Sequence, residues 1–230
     1  MIREGRVEGL MTNINKDTKI YGSFSCEPGN FGCKFHNCGF QHLGINAIYK
    51  SFGVKDIKLA MEAVRTLGIV GVGISMPFKS EVLKHVDARS PECWQINASN
   101  TIINKDGHLV AYNTDCIAAQ HALNNCDFDT LYILGDGGYA QAVKYACEKL
   151  EKEFVLITRD NWGDISELTD ELIFNCTPVI KTEVNPPESC KYIDCIVSTS
   201  TGQILASIQA AEQFRLYTGQ TYPCGILSFA

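Results

Sequence analysis

The sequence predicts an α/β protein with mostly parallel sheets. Strand-type and helix-type periodicity alternate along the chain from about residue 18 to residue 217. A strand-like run opens directly onto glycines and then a helix at 130–150, TLYILGDGGYAQAVKYACEKL. The run GIVGVGISM (68–76) is continuously apolar over strand length, as a strand covered on both faces should be.

The elements follow in order. TKIYGSF (18–24) reads as a strand, and 31–43 as a helix after a Pro-Gly-Asn turn. A strand is expected at 46–52 and an amphipathic helix at 55–68, whose Ile57, Ala60, Ala63, Val64 and Leu67 share one face. After the apolar strand, Pro77 stands where helices often begin. The stretch 99–115 is two β-type runs around Asp106-Gly107, a strong hairpin signal. A helix at 115–125 precedes the strand–glycine–helix unit. Further strands are expected at 154–159, 171–176 and within 190–200, and a last amphipathic helix over 203–217. No internal repeat or low-complexity segment is present.

Composition narrows the class. The 230 residues are 45% hydrophobic and 20% charged, ordinary for one large globular domain or two small ones. A net charge of −6 argues against nucleic-acid and anionic-membrane surfaces. No apolar run approaches the roughly 18–20 residues of a membrane span. The N-terminal stretch has no apolar core of the kind a signal peptide needs, so the cytoplasm is the expected compartment. Eleven cysteines invite a metal or disulfide reading. No pair is spaced C-x-x-C, and the pairs 33/38 and 190/195 lack a histidine completing a zinc pattern. Free thiols, many of them buried, and no metal site are expected.

Candidate chemistry is concentrated between residues 75 and 115. SMPFK (75–79), ASNTI (98–102) and YNTD (112–115) occur in that order. They resemble the N-V-T-x-P-F-K, A-V-N-T-I and G-x-N-T-D signatures of shikimate dehydrogenases. GDGGYAQA (135–142) resembles that family's nucleotide loop, and IQAAEQFRLYTG (208–219) its terminal helix. The resemblance spans roughly residues 15–219. It implies that Lys79 and Asp115 are a catalytic pair, that Asn100 and Ser75 bond substrate hydroxyls, and that Gln209 faces the substrate. The chemistry is coherent for alcohol–ketone interconversion. As hydride leaves carbon, the hydroxyl proton needs a carrier, and a lysine held by an aspartate can relay it. Burial would bring the ammonium's pKa down toward working pH. Read alone, Lys79 is a solvated first-turn lysine and Asp115 the N-cap of the next helix.

The loop at Gly135, Gly137 and Gly138 follows a strand and opens a helix, the setting in which backbone N–H groups meet a dinucleotide pyrophosphate. Asp136 is discordant there, since a carboxylate repels a pyrophosphate. About twenty residues on stands TRD (158–160), where the fold reads the ribose. The resemblance matches Arg159 to an arginine that clamps a 2′-phosphate, implying NADP. Asp160 would repel that phosphate and suits NAD, which stays open as the second choice.

Two departures from the family pattern bear on function. The family's Ser-x-Ser pair, which binds the substrate carboxylate, falls at Asn30 and Gly32 in EPGNFGCKFHN (27–37), a form that resembles a shikimate dehydrogenase-like subgroup. Asn30 retains an amide donor at a helix N-terminus; the plain alternative is a turn and cap. The nucleotide half is also shortened. Only residues 160–170 link two expected parallel strands, a short crossover, and a substrate-contacting tyrosine of the family has no counterpart. Missing sheet cover there would weaken cofactor binding.

The expected architecture is therefore an N-terminal mixed α/β substrate domain (1–117), completed by a helix within 203–230, plus a shortened Rossmann-like dinucleotide domain (118–202). The twelve or so residues before Asn13 match nothing and are expected to be flexible. The expected function is an NADP-dependent oxidoreductase interconverting shikimate, or a related cyclic polyhydroxy acid, and its ketone. The partner would be a small molecule, with neither nucleic acid nor membrane. The second reading is a non-catalytic small-molecule-binding homologue that has lost dinucleotide binding.

Overall fold

The computed structural model describes residues 14–223 and 225. The residues before Asn13 and those closing the expected 203–230 segment lie outside the described residues. The first half contains β1 (Lys19–Ser25), α1 (Phe31–His42), β2 (Ala47–Gly53), α2 (Ile57–Thr66) and β3 (Gly71–Ile74). A 3-10 turn (Glu81–His85) follows, then β4 (Ala88–Arg89), α3 (Pro91–Ile96), β5 (Thr101–Lys105), β6 (His108–Tyr112) and α4 (Asp115–Asn124). The second half contains β7 (Thr130–Leu134), α5 (Gly138–Lys149), β8 (Glu153–Ile157), a 3-10 segment (Arg159–Glu167) and β9 (Leu172–Asn175). It ends with α6 (Lys181–Val184), β10 (Lys191–Asp194) and α7 (Ser200–Thr218).

The strands form two sheets. The first is mixed, in the order β2-β1-β3-β5-β6-β4, with β5 antiparallel to both neighbours. The second is wholly parallel, in the order β10-β9-β7-β8. The chain leaves β7 for β8 on one side and crosses back to β9 on the other. That reversal makes the switch point at which open α/β sheets bind ligands. The Asp106-Gly107 hairpin forms as expected. Lys105 pairs with His108, and the two turn residues take φ of 53° and 88°, the left-handed pair of a type I′ turn.

Alternation along β3 explains its glycines. Val72 and Ile74 point to one face, where Ile57, Met61 and Val64 of α2 cover them. Gly71 and Gly73 point to the other, where a Cβ at Gly71 would lie 2.6 Å from the Tyr217 ring. That close approach lets α7 pack onto the first sheet. The α2 face differs from the expected one: Met61 is buried, while Leu67 lies at the C-cap and is 69% exposed.

Other expectations need correction. Pro77 does not begin a helix; it sits in a turn after β3, and the 3-10 turn starts at Glu81. The 68–76 strand is reduced to four residues and the 190–200 strand to four, because each run gives way to a turn that leads to the cleft. The short crossover still covers most of its sheet face, with Val155 of β8 left 41% exposed. Its 3-10 segment lays Trp162, Ile165 and Leu168 over Leu134, Ile157 and Ile173, while α5 and part of α7 cover the opposite face. The closing helix α7 is not amphipathic along one stripe. Leu205 and Ile208 pack against the second sheet's core, whereas Phe214 and Tyr217 pack against the first. A helix that serves two cores in succession shows no single apolar face. No helix among the described residues is long and apolar enough to cross a membrane.

Candidate active site

The turn after β3 delivers Lys79 to the cleft. Phe78 is buried at 4% exposure and anchors the turn, and the Lys79 carbonyl accepts from Ser99 N at 2.8 Å. Asp115 arrives from the opposite direction as the first residue of α4, with Thr114 in the cap position. Lys79 Nζ donates to Asp115 Oδ2 at 2.6 Å, and the two side chains are 13% and 4% exposed. Neither plain alternative holds: Lys79 is not solvated, and Asp115 does not cap its helix.

Asn100 organises the surroundings of this pair. Its Nδ2 lies 2.9 Å from Asp115 Oδ1, 2.9 Å from Thr114 Oγ1 and 3.1 Å from Gln209 Oε1. Its Oδ1 accepts from Thr114 N at 2.8 Å and from Thr101 Oγ1 at 2.9 Å. Gln213, one turn beyond Gln209 on α7, donates to the Asn100 carbonyl at 3.1 Å and to Thr101 Oγ1 at 3.0 Å. Asp115 is thus held by a cation at one oxygen and an amide at the other, an arrangement that fixes its carboxylate plane.

Two cavities meet at the pair. One is polar and opens over the first sheet, lined by serines, Tyr49 and Asn100. The other is largely apolar and lies toward the second sheet, with walls that include Met76, Tyr139, Cys176, Cys195 and Leu205. Ser75, Lys79, Asp115 and Gln209 border both. The Tyr139 ring approaches from the second lobe, its centroid 5.2 Å from Lys79 Nζ.

The glycine loop lies next to two residues of the apolar cavity's wall, Lys79 and Thr177. Gly135 follows β7 with φ of 91°, donates its N–H to Ile157 O at 2.8 Å, and leaves room that a Cβ would fill 2.7 Å from Thr177 Cγ2. Gly138 opens α5, where a Cβ would come 3.0 Å from Lys79 Cβ. Gly137 has open space beside it. Asp136, discordant in the sequence, turns its carboxylate to Lys144 and accepts from Gln141 Nε2 at 2.7 Å, so α5 offsets its charge. Arg159 stands exposed just beyond β8, beside the loop's strand.

The structure therefore brings together Lys79, Asp115, Asn100, Ser75 and Gln209, with Gly138 packed beside Lys79, while Gly135 and Gly137 line neither cavity. Asn30 is placed differently. It is exposed, makes no capping bond through its side chain, and the cavity wall beside it is built from Gly29, Phe31 and Gly32. Sequence reasoning missed Ser23, Ser51, Tyr49, His36, Tyr139 and Gln213. Gln213 was within reach, since it lies four residues from Gln209 on one helical face. The serines carried no local signal. Among the described residues no cysteine is in a disulfide and no group of three His, Cys, Asp or Glu side chains clusters as a metal site would; Cys224 is outside them.

His36 is fully buried on the polar cavity's wall and stacks on Tyr49 at 4.4 Å. Burial pushes its imidazole from 6.5 down to about 3, against a smaller upward pull from Gln213. The native state therefore stays neutral where the unfolded chain takes up a proton. Stability from this group is complete above pH 6.5 and is lost as pH falls toward about 3, at roughly 1.4 kcal/mol per pH unit. Urea midpoints measured across that window should show the slope, and His36→Phe should remove it. An equal slope in the variant would refute the assignment.

A doubly wound parallel sheet beside a mixed sheet, with a buried lysine–carboxylate pair between a polar and an apolar cavity, defines a two-lobed α/β cleft protein. The pattern of the shikimate dehydrogenase substrate binding domain matches residues 31–102. A shikimate dehydrogenase-like protein of Haemophilus influenzae is 43% identical over 133 residues, 56% of this chain and 49% of that relative. The NADP(+) shikimate dehydrogenase of Methanocaldococcus jannaschii is 34% identical over 197 residues, 72% of this chain and 70% of the relative. The solved structure of a shikimate 5-dehydrogenase-like protein superposes with a TM-score of 0.76 at 28% identity, covering 93% of this chain and 96% of that one. The chain belongs to the shikimate dehydrogenase family. It spans about half the length of several curated relatives it matches, 49%, 55% and 54% in three of them.

Proposed function

We propose that this protein is an NADP-dependent oxidoreductase interconverting shikimate, or a related cyclic polyhydroxy acid, and its 3-dehydro ketone. The observation that carries the reading is the 2.6 Å Lys79–Asp115 contact where the two cavities meet. The substrate lobe would comprise residues 1–117 with the returning α7, and the nucleotide lobe residues 118–202.

The residues present fit a dinucleotide. The cradle at Gly135 and Gly138 has no room for side chains, α5 presents its N-terminus, and Asp136 is already engaged by Lys144. Bound nicotinamide would supply or accept the hydride. The protein's own residues handle the proton. In the direction of ketone reduction, the Lys79 ammonium gives a proton from Nζ to the carbonyl oxygen; in the reverse direction the amine takes it from the hydroxyl. Asp115 Oδ2 aims Nζ, and Asn100 keeps Asp115 from turning away. Ser75, Asn100 and Gln209 border the polar cavity and orient ring hydroxyls. Asn30, exposed beside Gly29 and Phe31 of the cavity wall, would meet a substrate group only at the cavity's outer edge.

The non-catalytic reading loses two of its grounds, since Asp136 is paired and the short crossover still covers most of its sheet face. Calorimetric titration separates the readings: micromolar binding of NADP or NAD supports the dehydrogenase, and none up to millimolar sinks it. Arg159→Ala should weaken NADP by about 10-fold or more while changing NAD little, the scale of one lost hydrogen bond to a charged group. Equal losses for both nucleotides would remove Arg159 from 2′-phosphate recognition and favour NAD.

A further inference from the structure

The polar cavity runs from Lys79 and Asp115 to a wall that carries three hydroxyls. Ser23 on β1 sits in register between Ser51 on β2 and Gly73 on β3, and Ser23 Oγ donates to Ser51 Oγ at 3.1 Å. Tyr49 shares the Ser51 face of β2, two residues earlier. Its ring lies beneath both Gly32 and Gly73. A Cβ at Gly32 would be 3.0 Å from Tyr49 Cε1 and 3.2 Å from Oη, and one at Gly73 would be 3.0 Å from Oη. The two glycines are therefore the space that the phenol occupies, and its hydroxyl lies close to where a serine at 32 would place its own.

Other features of the wall point the same way. His36, fully buried behind Tyr49 and bordering the cavity, has the Gln213 side chain near it but no hydrogen bond of ordinary geometry at either ring nitrogen. Orphaned buried polar atoms are uncommon and call for a missing partner. Helix α1 presents its N-terminal turn through Gly29, Phe31 and Gly32, which favours negative charge. Among the described residues Lys79 is the one Lys or Arg side chain bordering this cavity, and the exposed Glu27, whose charge is weakened by solvent, borders it too.

We propose that Ser23, Ser51 and Tyr49 form the subsite that receives a carboxylate on the substrate ring, in place of the hydroxyls absent at positions 30 and 32. A carboxylate offers about four lone-pair positions, enough for three converging hydroxyls. The proposal rests on the dehydrogenase reading for the identity of the ring.

The test is calorimetric titration of shikimate and of its methyl ester into the full chain, read without turnover. The wild-type protein should bind the acid about 10-fold or more tightly than the ester, as charge-assisted hydrogen bonds imply. Tyr49→Phe, which keeps the stacked ring, and Ser23→Ala/Ser51→Ala should each remove most of that preference while leaving the ester's affinity within about 3-fold. Near-ultraviolet circular dichroism checks folding, and Ser51→Ala alone replaces the double variant if that fails to fold. An acid preference unchanged in the variants, no preference in the wild-type protein, or no binding of shikimate at millimolar concentration overturns the subsite. Retained acid preference in a protein that binds no nucleotide would sink the dehydrogenase reading and leave the subsite standing.

Discussion

Replacing Lys79 with alanine is expected to lower turnover about 10²–10⁴-fold, the usual contribution of a positioned proton carrier, with little change in substrate affinity. Among the described residues Lys79 is the one Lys or Arg bordering both cavities, so none of them stands ready to take over its role. The variant also leaves Asp115 buried without its cation, although Asn100 still donates to Oδ1. A stability loss on the order of 3 kcal/mol should accompany the catalytic one. Steady-state kinetics and thermal unfolding on the same sample separate the two effects. A folded variant with wild-type turnover would end the catalytic assignment.

The second large effect concerns Gly135. Its φ of 91° is a conformation that side-chain-bearing residues rarely adopt, and a Cβ there would meet Thr177 Cγ2 at 2.7 Å. Gly135→Ala must therefore shift either the loop or the end of β9. Stability should fall by about 1–3 kcal/mol, and NADP affinity by about 10-fold or more as the loop's N–H groups lose alignment. Gly137→Ala serves as the control. Nothing lies within 4 Å of its Cβ position, and its stability should stay within about 1 kcal/mol of wild type. Equal NADP affinity in wild type and Gly135→Ala would separate this loop from nucleotide binding.

Much of the site was legible because its residues fall in compact motifs. Lys79 lies in SMPFK, Asn100 in ASNTI and Asp115 in YNTD, and the structure gathers the first two around the buried carboxylate of the third. The glycine loop was legible for a similar reason, because a strand, a positive-φ glycine and a helix start are neighbours in the chain. Asp136 was misjudged because its partner Lys144 lies two helical turns away and declares itself only once α5 is folded. The short crossover was misjudged because a 3-10 segment with Trp162 and Ile165 can cover a sheet without a full helix. The closing helix was misjudged because it serves two cores in succession.

Local pattern settles what depends on neighbours a few residues apart: the α/β alternation, the Asp106-Gly107 hairpin and the loop at Gly135. The cavity's far wall is of another kind. Ser23 and Ser51 meet across 28 residues through strand register, and Asn100 meets Gln209 across 109 through the return of α7. A register shift of one residue would turn every such hydroxyl away from the cavity. No short motif encodes that choice, because it is made by the packing of whole elements against Gly32, Gly71 and Gly73.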